Sequence, residues 1–398
     1  MRDSLQKSML AALEGELGGL EEIGQLRFLR TINGPQQAHT TLDGRPILLL
    51  CSNNYLGLAN HPKLLAAAQK AVAGYGCSAG ASRLISGTMS LHGELEEALA
   101  KFKKVPKTLV FNSGYVANLA LLTTLVGAGD VIYSDALNHA SIVDGCRLSR
   151  AQLKVYRHCN MGHLEQLLKS SATTFRRRLI VTDSVFSMDG DIAPLPEVAE
   201  LGRRHDAVVM VDDAHATGVL GAGGRGSAEH FGLGFNDLDL QMGTLGKALG
   251  SCGAYVAGAP QFIDYLINKA RSFIYTTALP PAALGASLAA VELLSEEPER
   301  VTRLRSLNDY FRQGLRRLEI AVSDDPTPIV PVVVGDPQKT MALSAWFLEH
   351  GVFIQGIRPP TVAPGQSLLR VTISADLEYT DLDRVLGLFA ERRHDFCI

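Results

Sequence analysis

What this chain lacks narrows it before anything it contains. Its six cysteines, Cys51, Cys77, Cys146, Cys159, Cys252 and Cys397, are scattered with no CxxC pair. That leaves out a zinc ribbon and a disulfide framework and predicts a reducing, cytoplasmic setting. No apolar run approaches the ~20 residues needed to cross a bilayer, so no membrane span is expected. There is no basic tract, and the formal net charge is −3. Bulk attraction to nucleic acid or to an acidic membrane surface is therefore excluded. Internal repeats and low-complexity segments are also missing.

What is present reads as an ordinary soluble globular protein, 46% hydrophobic and 20% charged. At 398 residues the chain is too long for one core, and two structural domains are expected. Leu5, Met9, Leu13, Leu17 and Leu20 recur at helical spacing with acids between them. They predict an amphipathic N-terminal helix rather than a signal peptide. Residues 1–45 are this helix and a turn-rich connector. From 46 to 285, short β-branched runs alternate with helical stretches, with strands expected at 47–51, 108–112, 130–134, 179–183, 207–211 and 240–243. Such alternation predicts an α/β domain whose mostly parallel sheet is covered on both faces. Residues 286–398 change pattern and predict a smaller α+β domain, with strands at 329–334, 352–355 and 368–373.

The chain is organised around QMGTLGKALGSCG, residues 241–253, with Lys247 at its centre. Glycines let a ligand approach the backbone, and a tight uncharged turn strips water from the amine. Bringing a lysine from its usual pKa to half neutral at pH 7 takes ~4 kcal/mol of differential environment. Four further features fall at the ends of expected strands, where open α/β sheets place ligands. FNSGYVAN sets Ser113, Gly114 and Tyr115 between strand and helix, where backbone N–H groups bind phosphate. VDDAHATG ends a strand with Asp212 and His215, and a buried carboxylate there requires a cationic partner. SVFSMDGD supplies Ser187 as a donor to a ligand oxygen. DALNHASIVDG offers His139, placed to stack on a planar ring. GAGGRG, 221–226, matches a dinucleotide fingerprint literally but follows no strand, and it reads instead as a mobile glycine loop. The set in this order describes a pyridoxal-phosphate (PLP) site: an imine-forming lysine, a carboxylate for the pyridine nitrogen, a phosphate turn and a stacking histidine.

SNNYLGL, GASRLISGTMSLHGELEEALA, LNHASIVDG, SVFSMDGDIAPL, VDDAHATGVLG, GTLGKALG, FIYTTALPPA and IRPPTVAPGQSLLRVTISA resemble the α-oxoamine synthases, fold-type I PLP enzymes, essentially end to end. The resemblance implies a seven-stranded large-domain sheet with pyridoxal 5'-phosphate on Lys247. It implies that Asp212 pairs with the ring nitrogen, His139 stacks on the ring, and Ser187 and His215 face its phenolic oxygen. Gly114, Tyr115 and Thr244 hold the cofactor and its phosphate. Thr276 and Thr277 reach the phosphate of a neighbouring subunit, which implies a homodimer with shared sites. Arg358 and Thr361 are implied substrate contacts, Arg358 as a clamp for the amino-acid carboxylate, with Asn53 beside them. Arg27 is implied to touch the acyl substrate.

Asp183, Asn54 and Asn138 depart from the glutamate, aspartate and serine usual in that family, a matter of tuning rather than chemistry. Within the family, the resemblance implies decarboxylative condensation of L-alanine with a pimeloyl thioester, on coenzyme A or an acyl carrier protein, in biotin biosynthesis. The alternative is glycine or serine with a different acyl-CoA. Five methylenes contribute about 4 kcal/mol to acyl selection, whereas the methyl separating alanine from glycine is a weak handle. A metal-dependent hydrolase built on Asp189, Asp191, Asp212, Asp213 and His215 is the rival from another class. An inactive partner subunit ranks last, because Lys247 is present.

Overall fold

In the computed structural model, which describes residues 2–170 and 175–396, the chain enters through the helix Arg2–Glu22. A hairpin follows, β1 (His39–Leu42) and β2 (Arg45–Leu49), turned at Asp43-Gly44 with positive φ at both positions. Asp-Gly is the pair that such a turn favours, since its backbone twist matches that of the flanking strands.

The alternating signals that follow resolve into one seven-stranded sheet. Its strands are β3 (Lys107–Phe111), β4 (Val131–Asp135), β5 (Gln152–Tyr156), β6 (Arg178–Asp183), β7 (Val208–Asp212), β8 (Leu240–Thr244) and β9 (Ala254–Gly258). They lie in the order β3-β9-β8-β7-β6-β4-β5. All pairs are parallel except those of β9, which runs antiparallel to both neighbours. Leu179, Val181 and Met210 pack on one face with the helix Gly114–Leu125. Ile180, Val209 and Val211 pack on the other with the helix Leu195–Arg204. Both faces are buried, so these strands read as continuous apolar runs rather than alternating ones. Five of the seven strands are legible in that way. β5 is not, because it is an edge strand with three of its five residues exposed, and β9 hides its short apolar stretch between glycines.

The C-terminal region carries β10 (Ile329–Gly335), β11 (Val352–Phe353), β12 (Gln355–Ile357) and β13 (Ser367–Thr372). The expected single strand at 352–355 divides between two sheets. β11 pairs parallel with β2, and β12 pairs antiparallel with β13, whose other edge takes β10. The N-terminal hairpin is thereby sewn to the C-terminal region. The N-terminal helix forms as its spacing predicts, yet its apolar stripe stays uncovered in the single chain: Leu5 is 67% and Met9 66% exposed. No helix among the described residues is long and apolar enough to cross a membrane.

GAGGRG makes defined contacts: Glu229 accepts from the N–H groups of Gly223 and Arg225, at 3.1 and 3.0 Å. Arg305 donates to the Gly221 carbonyl. At Gly226 (φ +101°) a Cβ would lie 2.3 Å from Asp213 Oδ2, so the glycine permits close approach.

Candidate active site

The C-terminal ends of β4, β6, β7 and β8 open on a cavity of about 190 Å3 lined by Gly114, Tyr115, Asn118, His139, Ser141, Asp183, Ser187, Asp212, Ala214, His215, Met242, Thr244 and Lys247. Eight of the residues singled out from the sequence meet there.

Lys247 is largely buried in the turn after β8. Burial pulls its amine down to about 8, against the opposing pull of the Asp212 and Asp183 charges. Its Nζ lies 2.9 Å from His215 Nε2, and His215 Nδ1 lies 2.6 Å from Tyr55 Oη. Burial, reinforced by the Lys247 charge, holds His215 well below the usual histidine range, so the ring is neutral. With Lys247 donating to Nε2, the ring proton resides on Nδ1 and is donated to Tyr55. Tyr55 then donates to Asn53 Oδ1 at 3.2 Å.

Asp212 ends β7 and is buried. Oδ2 accepts from Asn118 Nδ2 at 2.8 Å and Oδ1 from the Ala214 N–H at 2.9 Å. Burial raises its pKa, while the Asn118 hydrogen bond and the Lys247 charge oppose the rise. All its hydrogen-bond donors are neutral, and Asn118 Oδ1 is buried with no partner among the described residues. A buried carboxylate lacking a cation is what a protonated pyridine nitrogen would complete, so the donor set fits pyridoxal phosphate. The helix Gly114–Leu125 points its N-terminus at the same cavity. Ser113 caps it, its Oγ accepting from the Val116 N–H at 3.3 Å, which leaves Gly114 and Tyr115 as the lining residues. Thr244 Oγ1 donates to the Gly253 carbonyl at 3.1 Å.

The departures from the family pattern have local reasons. Asp183 is buried, its pKa pushed well up by burial and by the neighbouring Asp212 charge. Its Oδ2 accepts the His139 N–H at 2.7 Å, and its own N–H donates to Asn138 Oδ1 at 2.8 Å. Asp183 and Asn138 therefore fix the turn that presents His139. Asn54 donates from Nδ2 to the Gln36 carbonyl at 3.0 Å, a bond that a carboxylate would not supply.

Other predicted residues lie elsewhere. Arg27, Arg358 and Thr361 line a second cavity of about 820 Å3, between the N-terminal segment and the C-terminal region, with Leu17, Leu20 and Phe353. Arg358 does not line the lysine cavity, and its Nη2 donates to the Leu26 carbonyl at 3.4 Å. The guanidinium beside that cavity is Arg370 of β13, which donates from Nε to the Ser187 carbonyl at 2.5 Å. Thr276 lines a small separate crevice with Arg83 and Phe273. Thr277 bridges to Ser82 and accepts from Asn112 at 2.7 Å. Asp213 is paired with Lys103 at 2.8 Å and Asp191 with His158 at 2.7 Å, while Asp212 turns to Asn118 and His215 to Tyr55, so four of the five groups of the hydrolase reading have different partners.

Tyr55, Asn118 and Arg370 were not singled out from the sequence. Asn118 carries a signal in hindsight, one helical turn after Gly114. So does Arg370, a lone charge in the otherwise buried strand β13.

Residues 45–389 match the family of class I and II aminotransferases. The chain is 51% identical to an 8-amino-7-oxononanoate synthase of Geobacter sulfurreducens, over 96% of this chain and 98% of that protein. It is 54% identical to an 8-amino-7-oxononanoate synthase of Geobacter metallireducens, over 94% and 96%. Among solved structures, a serine palmitoyltransferase variant from S. paucimobilis with a bound PLP–myriocin aldimine superposes with a TM-score of 0.90 at 30% identity, covering 98% of each chain. The chain belongs to the class I and II aminotransferase family and, within it, to the family of the 8-amino-7-oxononanoate synthases.

Proposed function

We propose that this protein condenses L-alanine with a pimeloyl thioester, releasing CO2, free thiol and 8-amino-7-oxononanoate, in biotin biosynthesis and with pyridoxal 5'-phosphate as cofactor. The observation that carries this is the pairing of a largely buried amine, Lys247, with a buried carboxylate short of a cation, Asp212, in one cavity. The relatives' names supply the substrates. When bound, the cofactor supplies an electron sink for a carbanion at the amino-acid α-carbon.

The chain's own residues do the rest. Lys247 would hold the cofactor, and an amine near pKa 8 is suited to moving a proton at the amino-acid α-carbon. Asp212 would pair with the ring nitrogen and favour its protonated form. His139 would stack on the ring, with Ser187 and His215 facing its phenolic oxygen. The N–H groups of Gly114 and Tyr115, with Thr244, would hold the phosphate. Arg27, Arg358 and Thr361 border the larger cavity, which has apolar walls suited to an acyl chain and, with Arg30, three guanidiniums suited to anionic ends. Asn53, next to Arg370, faces the amino-acid side. The uncovered N-terminal stripe supports a homodimer in which Thr276 and Thr277 serve the neighbouring site. The cytoplasm is the proposed compartment, and 46–285 and 286–398 are the proposed cofactor and C-terminal domains.

The test is borohydride reduction of the coloured protein with peptide mapping. Alanine, glycine and serine are then assayed against pimeloyl, acetyl and palmitoyl thioesters. The expected result is a pyridoxyl label on Lys247, fastest turnover with alanine and pimeloyl, and none in Lys247→Ala. A label elsewhere, or near-native turnover by Lys247→Ala, overturns the reading. Preference for glycine or serine moves the chain to a sister reaction.

A further inference from the structure

His158 follows the edge strand β5 and lines no part of the lysine cavity. Its Nδ1 lies 3.0 Å from Asp135 Oδ1 and its Nε2 lies 2.7 Å from Asp191 Oδ2. Both partners are carboxylates and accept only, whereas a neutral imidazole has one N–H. Two short contacts to two acceptors require both nitrogens protonated. Burial alone would lower this histidine, but the hydrogen bonds to Asp135 and Asp191 carry it up to about 12.

The two carboxylates belong to the two loops that enter the site. Asp135 ends β4 and accepts the Leu137 N–H at 2.9 Å, at the start of the turn that presents His139. Asp191 closes the loop that presents Ser187, its carbonyl accepting the Phe186 N–H at 3.0 Å beside the Val185–Ile192 bridge. The Phe186 ring also meets the His158 ring edge to face, centroids 4.4 Å apart. His158 therefore touches residues on both sides of Ser187. From the opposite side the same loop is gripped by Arg370 on the Ser187 carbonyl and by Thr327 on the Gly190 carbonyl at 2.6 Å.

We propose that His158 is a positioning residue: a permanently doubly donating ring that ties the Ser187 loop to the His139 turn and so holds Ser187 at the cofactor. This rests on the PLP reading of the lysine cavity. Its removal acts on cofactor binding through Ser187, not through the fold at large.

The experiment is a double-mutant cycle of His158→Gln and Ser187→Ala in the full-length protein, read by the PLP dissociation constant and by the pH midpoint of the visible absorption band. His158→Gln alone should weaken PLP about tenfold and move that midpoint, because neither contact would then have a cationic donor. In the Ser187→Ala background the same change should add less than about twofold, because two coupled residues are non-additive. Asp191→Asn, which keeps an acceptor, should recover most of the affinity. If circular dichroism shows His158→Gln unfolded, Asp191→Leu takes its place in the cycle. Equal losses in both backgrounds, or no loss in either, overturn the inference. A parent protein that takes up no PLP on Lys247 overturns the cofactor reading itself, whereas a parent that binds PLP with His158→Gln unchanged overturns only the positioning role.

Discussion

Tyr55 Oη lies 2.6 Å from His215 Nδ1 across 160 residues of sequence, and the other nitrogen of that ring faces Lys247 Nζ at 2.9 Å. The tyrosine thus sets which nitrogen of a neutral histidine carries the proton. Tyr55→Phe removes one acceptor from a buried N–H, a loss of about 1–3 kcal/mol. Turnover should fall about ten- to a hundredfold with the fold intact, measured as kcat beside an unchanged far-ultraviolet dichroism spectrum. Unchanged kcat would show that His215 needs no such support.

An amine attacks an aldehyde only when neutral, and Lys247 is the amine proposed to do so. Its amine is held down to about 8 by burial, so it is protonated below that pH and free above it. The rate at which cofactor-free protein takes up PLP should rise tenfold per pH unit below 8 and level off above it. Stopped-flow absorbance measures this. A rate still climbing past pH 10 would mark an ordinary solvated lysine.

Asp212→Ala removes the carboxylate that awaits a cation, and Asn118 loses its acceptor. Exchange of the alanine α-proton with deuterated solvent, followed by NMR, should slow by about a hundredfold or more. Exchange at the native rate would mean that the ring nitrogen needs no acid partner.

The fully buried pair of Lys103 and Asp213 anchors the opposite side of the β7 tip, with Ser227 donating to the same carboxylate. Lys103→Met leaves that carboxylate uncompensated and should cost about 3–5 kcal/mol, read from urea unfolding of the cofactor-free protein. A loss below 1 kcal/mol would show that Ser227 and water suffice.

Legibility followed locality. Lys247, Asp212, His215, His139 and Ser187 stand at strand ends, and the apolar run before each one places it at the sheet's ligand-binding edge. The N-terminal helix likewise follows from its own spacing. β5 escaped because an edge strand buries one face at most, and a mixed sequence suffices there. The contacts of GAGGRG were not legible, because glycines signal only permitted backbone shapes and its partners are Glu229 and Arg305.

The amino-acid order alone determined the alternating architecture and the glycine-flanked turn that carries Lys247, since each is written in residues close in the chain. Tertiary structure alone decided that Tyr55 pairs with His215, that Arg370 holds the Ser187 carbonyl while Arg358 lines another cavity, and that His158 joins two loops. Those partners lie 23 to 183 residues apart. Packing brings them together, and packing leaves no periodic trace along a single strand or helix.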